Sequence, residues 1–556
     1  MKKILDDNYY DLIIESLVSP IQNEDVNVTP LNELYYILHV STSEMDICGQ
    51  SPAPYYSLPE LFTPISIIGG EKVYNDSFRF NAGSALQGEK MIIGILGTGI
   101  DYQHPAFLNT DKTTRIISIW DQSEQSGAIP AGFTFGSEYT REMINQALAS
   151  ENPLSVVPSV DTNGHGTAIA SIITGRPDSN QYFSGIVPEA ELVIVKLKEA
   201  KKTLKQLFFV PDDLLCFQET DLMLGIRYLL TAAQNLRRPV IICIALGSSQ
   251  GGHDGINSIS TYLNSIVRLP DIGVSIAAGD EGNKERHYFK NIIYEPYYNN
   301  FQLNVGINDK MFSMEIWPSA PNSLSIEVIS PLGESTKSIS PSFACREFAF
   351  EQSRSTLLVS NFVFESGRRN PLILIRFKNP YPGIWHFRAV CVENTPFSFH
   401  AWLPAGNLIS DETFFLDSDP NTTITSPGNA ADPITVTAYN QFNNSILPES
   451  GRGYTRLGIV KPNIAAPGYR IPCAVPEYRY GVINGTGAAA GYAAGAIAIV
   501  MEWAYLKGNY ITINGNQIRG MLTYDALRDP SVEYPNNIWG YGILDIENLI
   551  EVLSGI

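Results

Sequence analysis

A chain of 556 residues is too long for one ordinary domain, and roughly two to four are expected, each with its own core. Its 44% hydrophobic and 17% charged residues are the balance of a soluble globular protein. The net charge of −19 sets it against nucleic acid and anionic membranes, which need basic patches.

Cys48, Cys216, Cys243, Cys345, Cys391 and Cys473 lie far apart with no CxxC pair. This argues against a disulfide scaffold and a zinc site, and Cys243, inside the apolar run 240–246, reads as a buried free thiol. Met1-Lys2-Lys3 followed by Asp6, Asp7 and Asn8 lacks the apolar stretch of a secretory signal. No run of about 18 apolar residues stands out, so no transmembrane helix is expected.

From the start to about residue 76, a helical pattern at 10–17 and a β-like run at 33–40 suggest a small α/β module. A polar, glycine-containing connector follows at 75–88. Over 77–300, short apolar runs at 92–96, 192–197, 240–246 and 274–278 alternate with helical segments such as 221–236. Strands buried on both faces and joined by helical crossovers predict a doubly wound parallel sheet, with function at the strands' carboxyl ends. Residues 301–415 break this rhythm. Runs at 301–305, 311–317, 324–329, 372–377 and 385–390, separated by Pro, Gly and Asn turns, predict an inserted all-β sandwich. Over 416–556 the α/β style resumes, with a strand at 434–439, a glycine-rich turn at 484–491, a long small-residue helix to about 506 and a last helix at 546–553.

Four stretches carry chemistry. Ile93-Gly94-Ile95-Leu96-Gly97-Thr98-Gly99-Ile100-Asp101 ends a strand, and Asn163-Gly164-His165-Gly166-Thr167 opens a helix. Ala277-Ala278-Gly279-Asp280-Glu281-Gly282-Asn283 follows another strand, and Asn484-Gly485-Thr486-Gly487-Ala488-Ala489-Ala490 opens the long helix. A glycine-bounded turn such as Leu96-Gly97-Thr98-Gly99 could hold phosphate, but it has no third glycine and no Gly-Lys-Ser/Thr. In this order the four stretches resemble the subtilisin-like serine proteases, the subtilases, over about 77–300 and 416–556. Ser450-Gly451-Arg452-Gly453 and Lys461-Pro462-Asn463-Ile464-Ala465-Ala466-Pro467-Gly468 extend the likeness.

The resemblance assigns the catalytic aspartate to Gly97, the histidine to His165, the oxyanion-hole asparagine to Asp280 and the nucleophilic serine to Gly487. One of the four residue types is retained. Glycine offers no hydroxyl, and an ionised aspartate accepts hydrogen bonds where an oxyanion needs a donor. In subtilisin, removing the serine or the histidine costs about 10⁶ in rate. The expectation is therefore a degenerate serine endopeptidase site and a chain that is not an enzyme. Asp101 has a structural role in the family, and Thr486 should leave its turn in another direction. His165 is expected either as a structural histidine or as a partner of Asp280, a pairing that would raise its pKa. The stretch Gly251-Gly252-His253-Asp254-Gly255 reads as a plain loop near the substrate-binding wall.

The layout of a short leading module, a subtilase core and a β-sandwich between the asparagine and serine motifs resembles the Csp subtilases of endospore-forming clostridia. In that family the insert is a jelly roll, and the leading module is a prodomain that assists folding. Active members cleave the inhibitory segment of a cortex-lytic enzyme during spore germination, and pseudoprotease members regulate the process. The resemblance implies a germination regulator made in the mother-cell cytoplasm and held, soluble, in the spore. Its expected partners are its own uncleaved prodomain, whose tail lies in the cleft, and an active Csp-type protease or other germination proteins, with a small-molecule germinant as a further candidate. No cofactor is expected, and bound calcium is left open. The rival readings are an active serine endopeptidase with a rearranged site and a receptor for a small germinant.

Overall fold

The computed structural model describes residues 2–15, 27–45, 48, 53–69, 86–342, 344–365, 370–506, 508–510 and 512–554. At its centre lies a sheet in the order Ser445–Ile446, Ile434–Asn440, Ile272–Ala277, Val240–Ile244, Ile92–Gly97, Glu191–Lys196, Ile116–Asp121 and Ser137–Thr140. Ile464–Pro467 also pairs with Ile434–Asn440. The inner strands are parallel, and only the outermost pairings are antiparallel.

The inner strands are mostly apolar because both of their faces are covered. Ile93 and Ile95 join the core formed with helices His165–Thr174 and Thr486–Leu506. Ile92 and Leu96 join a second core formed with helix Glu219–Leu236. Burying one such isoleucine contributes about 1.5–3 kcal/mol. Helix Thr486–Leu506 is rich in Ala and Gly because it lies tight against its neighbours; a Cβ on Gly495 would come within 2.6 Å of Ile186. By length and composition this helix could cross a membrane, contrary to the sequence expectation. Its apolar window is 94% buried inside the fold, which makes it the central helix of a globular core.

Between the two halves of this core stands an antiparallel β-sandwich. One sheet runs His287–Ile292, Phe397–Trp402, Met311–Pro318, Asn370–Lys378, Ser355–Glu365 and Cys345–Phe350. The other runs Leu324–Ile329, Gly383–Cys391, Tyr298–Val305 and Phe414–Phe415. The period of two is plain in Gly383–Cys391, where Trp385, Phe387, Ala389 and Cys391 are buried while Ile384, His386 and Arg388 face out.

The leading module contains the antiparallel sheet Tyr9–Glu15, Tyr35–Ser41 and Val28–Pro30. The helix expected at 10–17 is therefore a strand over its described part. A short apolar run such as Leu12-Ile13-Ile14 fits either element, and pairing with Tyr35–Ser41 decides it. The module docks through buried Asp11, which accepts from His39 Nδ1 at 2.6 Å, Lys201 Nζ at 2.7 Å and Gln218 Nε2 at 2.9 Å. Burial alone would raise the Asp11 carboxyl; the His39 hydrogen bond and the Lys201 charge together hold it below its ordinary value. A disulfide from Cys48 to Cys345 ties the module to the sandwich, a pairing that the wide spacing gave no hint of. Cys216, Cys243, Cys391 and Cys473 are free and buried, and burial pushes the Cys243 thiol up to about 12. Most of the connector expected at 75–88 falls outside the described residues.

Candidate functional site

The strand ends converge on one cleft, and a segment of the chain itself runs through it. Strand Leu61–Pro64 lies between Leu246–Gly247 on one side and Phe217–Gln218 on the other, antiparallel to both. The Ile65 amide donates to the Ala245 carbonyl at 2.9 Å, and strand Ile67–Gly69 pairs antiparallel with Arg479–Asn484. Residues 61–69 are thus held by main-chain ladders on either side of one peptide bond, Ile65–Ser66. The Ile65 side chain is buried beside Gly247, where an added Cβ would meet its Cδ1 at 2.5 Å.

His165, 4% exposed at the start of helix His165–Thr174, directs its Nε2 to the Ile65 carbonyl at 2.7 Å. With a carbonyl as partner this nitrogen is the donor. Burial lowers the His165 pKa against the opposing pull of that hydrogen bond, which keeps the ring neutral near pH 7.

Gly487 stands opposite the same bond. A Cβ built on it would lie 2.3 Å from the Ile65 oxygen, 2.8 Å from Ser66 Oγ and 3.2 Å from the Ile65 carbonyl carbon. Its amide, at the buried amino end of helix Thr486–Leu506, donates to Ser66 Oγ at 2.8 Å, and the Ala488 amide does so at 3.3 Å. Ser66 therefore caps the helix from outside, satisfying donors that a helix leaves orphaned. It holds φ at 96°, a left-handed value uncommon for serine.

Asp280 bonds to the turn at the start of the long helix. Its Oδ1 accepts from the Thr486 amide at 2.9 Å and from the Thr486 hydroxyl at 2.8 Å. Burial pushes the Asp280 carboxyl up to about 7. The expected His165–Asp280 pair does not form, because the Ile65 carbonyl takes the ring nitrogen, and the histidine pKa moves down rather than up because the ring is buried. The Thr486 hydroxyl also accepts from the Gly279 amide at 3.0 Å, so it is committed to its turn. Gly97 ends its strand in open space, with nothing within 4 Å of a built Cβ. Asp101 braces a neighbouring loop by accepting from the Glu477 amide at 3.1 Å. His253 is buried, lies stacked on Trp402 at 4.1 Å, and is pushed down to about 4 by burial. Among the described residues no group of His, Cys, Asp and Glu converges as a metal site would.

The structure thus brings His165, Asp280 and Gly487 around Ile65 and Ser66, while Gly97 stands one residue before Thr98, whose hydroxyl accepts from the Gly166 amide at 2.8 Å. Sequence reasoning did not single out Ile65 or Ser66. The available signal was a β-prone run, Leu61-Phe62-Thr63-Pro64-Ile65-Ser66-Ile67-Ile68, closed by Gly69-Gly70.

The subtilase family pattern matches residues 88–300 and 404–542, more than half of the chain, and the chain belongs to that family. Among solved structures it is similar to the Clostridium perfringens CspB protease, with 28% identity and a TM-score of 0.75 over 84% of this chain and 94% of that one. This chain is a Csp-type subtilase. It also matches sphericase, at 17% identity and a TM-score of 0.42, with 85% of this chain and 95% of that one covered. The prenylagaramide maturation protease PagA matches at 13% identity and 0.39, with 84% and 94% covered. No curated protein sequence matches the chain. These findings correct the expectation that the chain is not an enzyme: its family is one of peptidases, and the fold it shares over most of its length is that of a protease.

Proposed function

We propose that this Csp-type subtilase acts in spore germination by recognising extended polypeptide in its cleft. Residues 61–69 of its own leading module are the resident ligand, and an active Csp-type protease or another germination protein is the external partner. In this reading the protein sits in the spore and works ahead of the activation of a cortex-lytic enzyme.

The observation that supports it is the double main-chain ladder on residues 61–69, with the Ile65 carbonyl on His165 Nε2. Strand addition of this kind draws affinity from main-chain hydrogen bonds and specificity from pockets such as that of Ile65. The test places Gly487→Val, whose branched side chain fills the cleft, in the sporulating host. The reading predicts defective germination with normal protein level in the spore, and normal germination would sink it.

A further inference from the structure

A cavity of about 230 Å³ opens where the leading module, the core and the sandwich meet. Tyr55, Tyr56 and Glu60 line it from the module, Glu219 and Asp254 from the core, and Trp317 from the sandwich. No basic side chain is among its lining residues.

The acidic groups around it differ in how they are satisfied. Asp254 is paired with Arg456 at 2.9 Å. The Glu219 carboxylate accepts the Glu60 amide at 3.1 Å and the Ile259 amide at 2.8 Å. Glu315, beside the cavity, accepts from Tyr55, from the Gly251 amide at 2.9 Å and from Trp317 Nε1 at 3.1 Å. Glu15 also lines the cavity but is exposed; among the buried acidic groups Glu60 is the exception. It is 6% exposed, its Oε1 accepts from Asn257 Nδ2 at 2.7 Å, the nearby Ser426 hydroxyl favours its charged form, and no donor lies at hydrogen-bond distance from its Oε2.

A buried carboxylate oxygen without a donor costs several kcal/mol unless a cation or a proton balances it. Burial, and then the adjacent Glu219 charge, push the Glu60 carboxyl well above its ordinary range. Burial likewise brings Glu219 up to about 7. Such a carboxyl holds a proton until a cation arrives to balance it, and Arg456, whose guanidinium lies 5.4 Å from the Trp317 ring centre, is already paired with Asp254. A metal ion would need several converging ligands, and no such group occurs among the described residues. An organic ammonium needs one desolvated carboxylate and aromatic walls, and Tyr55, Tyr56 and Trp317 provide such walls. The volume lies below the roughly 300 Å³ at which drug-sized sites begin, which limits the ligand to a simple amine or a compound of amino-acid size.

We infer that this junction is a binding site for a small organic ammonium compound, whose charged end pairs with Glu60 Oε2 and whose carbon chain packs on Tyr55, Tyr56 and Trp317. The site would couple to the cleft directly, because strand Leu61–Pro64 begins at the next residue. Nothing in this inference depends on the germination reading.

The experiment uses the full chain and follows thermal unfolding and calorimetric titration with propylammonium chloride, with 1-propanol, potassium chloride and calcium chloride as controls. Propylammonium is expected to bind in the millimolar range or tighter and to raise the unfolding temperature, while the three controls leave it unchanged. Glu60→Gln keeps the shape and removes the group that would ionise to pair with the ammonium, so the variant should fold, and it should weaken propylammonium at least tenfold. An equal shift with potassium would reveal simple screening, and a shift with calcium alone a metal site; either overturns the inference. So would propylammonium binding that Glu60→Gln leaves intact, or no binding at all.

Discussion

Removing the Ser66 hydroxyl isolates the contact that locks the leading module into the cleft. In Ser66→Ala the Gly487 and Ala488 amides, which donate to Oγ at 2.8 and 3.3 Å, lose their acceptor at the start of the core helix. Loss of a helix cap costs about 0.5–2 kcal/mol, and a buried donor left unsatisfied about 1–3. The two describe the same event and are not summed, so the segment should loosen by roughly 1–3 kcal/mol. The ladders to Leu246–Gly247 and Arg479–Asn484 remain, so the fold persists and the loss is local. Hydrogen–deuterium exchange read by mass spectrometry reports it: at about 1.4 kcal/mol per decade, the amides of residues 61–69 should exchange roughly 5- to 150-fold faster. Core amides in Ile92–Gly97 should not change. Unchanged exchange across 61–69, or an equal acceleration everywhere, would refute the capping role.

Further outcomes follow from the same geometry. Gly487→Ala places a methyl 2.3 Å from the Ile65 oxygen, and the overpacking should cost about 1–3 kcal/mol, seen as faster exchange across 61–69. Combining Gly97→Asp, Asp280→Asn and Gly487→Ser should direct any resulting cut to the bond between Ile65 and Ser66, read from the mass of the fragments; a cut within 77–90 would contradict the register. Asp11→Ala strands the Lys201 ammonium and should loosen the leading module by about 3–5 kcal/mol, measured by exchange in Tyr9–Glu15 and Tyr35–Ser41. The Asp11 contribution is present above the unfolded carboxyl value and is lost as pH falls through the lower folded one. Asp280 behaves in the opposite sense. Its folded value of about 7 exceeds the unfolded one, so its contribution is full at low pH and is lost as pH rises from about 4 through 7. Asp280→Asn should flatten that limb of a melting-temperature profile, and an unaltered profile would place the titration elsewhere.

The α/β core was legible because its strands are apolar on both faces and its helices carry their own periodicity, as in Val240–Ile244 and Glu219–Leu236. The four stretches that form the cleft could be found because a strand end or helix start fixes each locally. Tyr9–Glu15 was misread because seven residues of mostly apolar character carry no decisive period, and only the partner strand settles the matter. The Cys48–Cys345 bridge and the Ile65–Ser66 contact were not legible. Each joins residues 100 or more positions apart, and in the cleft the decisive contacts are main-chain ladders that leave almost no mark on side-chain identity. The expectation of a non-enzyme failed differently: it took the residue types at four positions as sufficient, whereas family and fold place the chain among peptidases.

The most direct test of an occupied cleft is a cross-link across the ladder. Ile67 and Asn484 are directly opposed in antiparallel strands, so the double variant Ile67→Cys, Asn484→Cys in the full chain brings two thiols within bonding reach. Mild oxidation should form that disulfide rapidly and in high yield, detected as a linked peptide pair by mass spectrometry. A folded double variant in which the two cysteines stay unlinked would mean that residues 61–69 do not lie in the cleft.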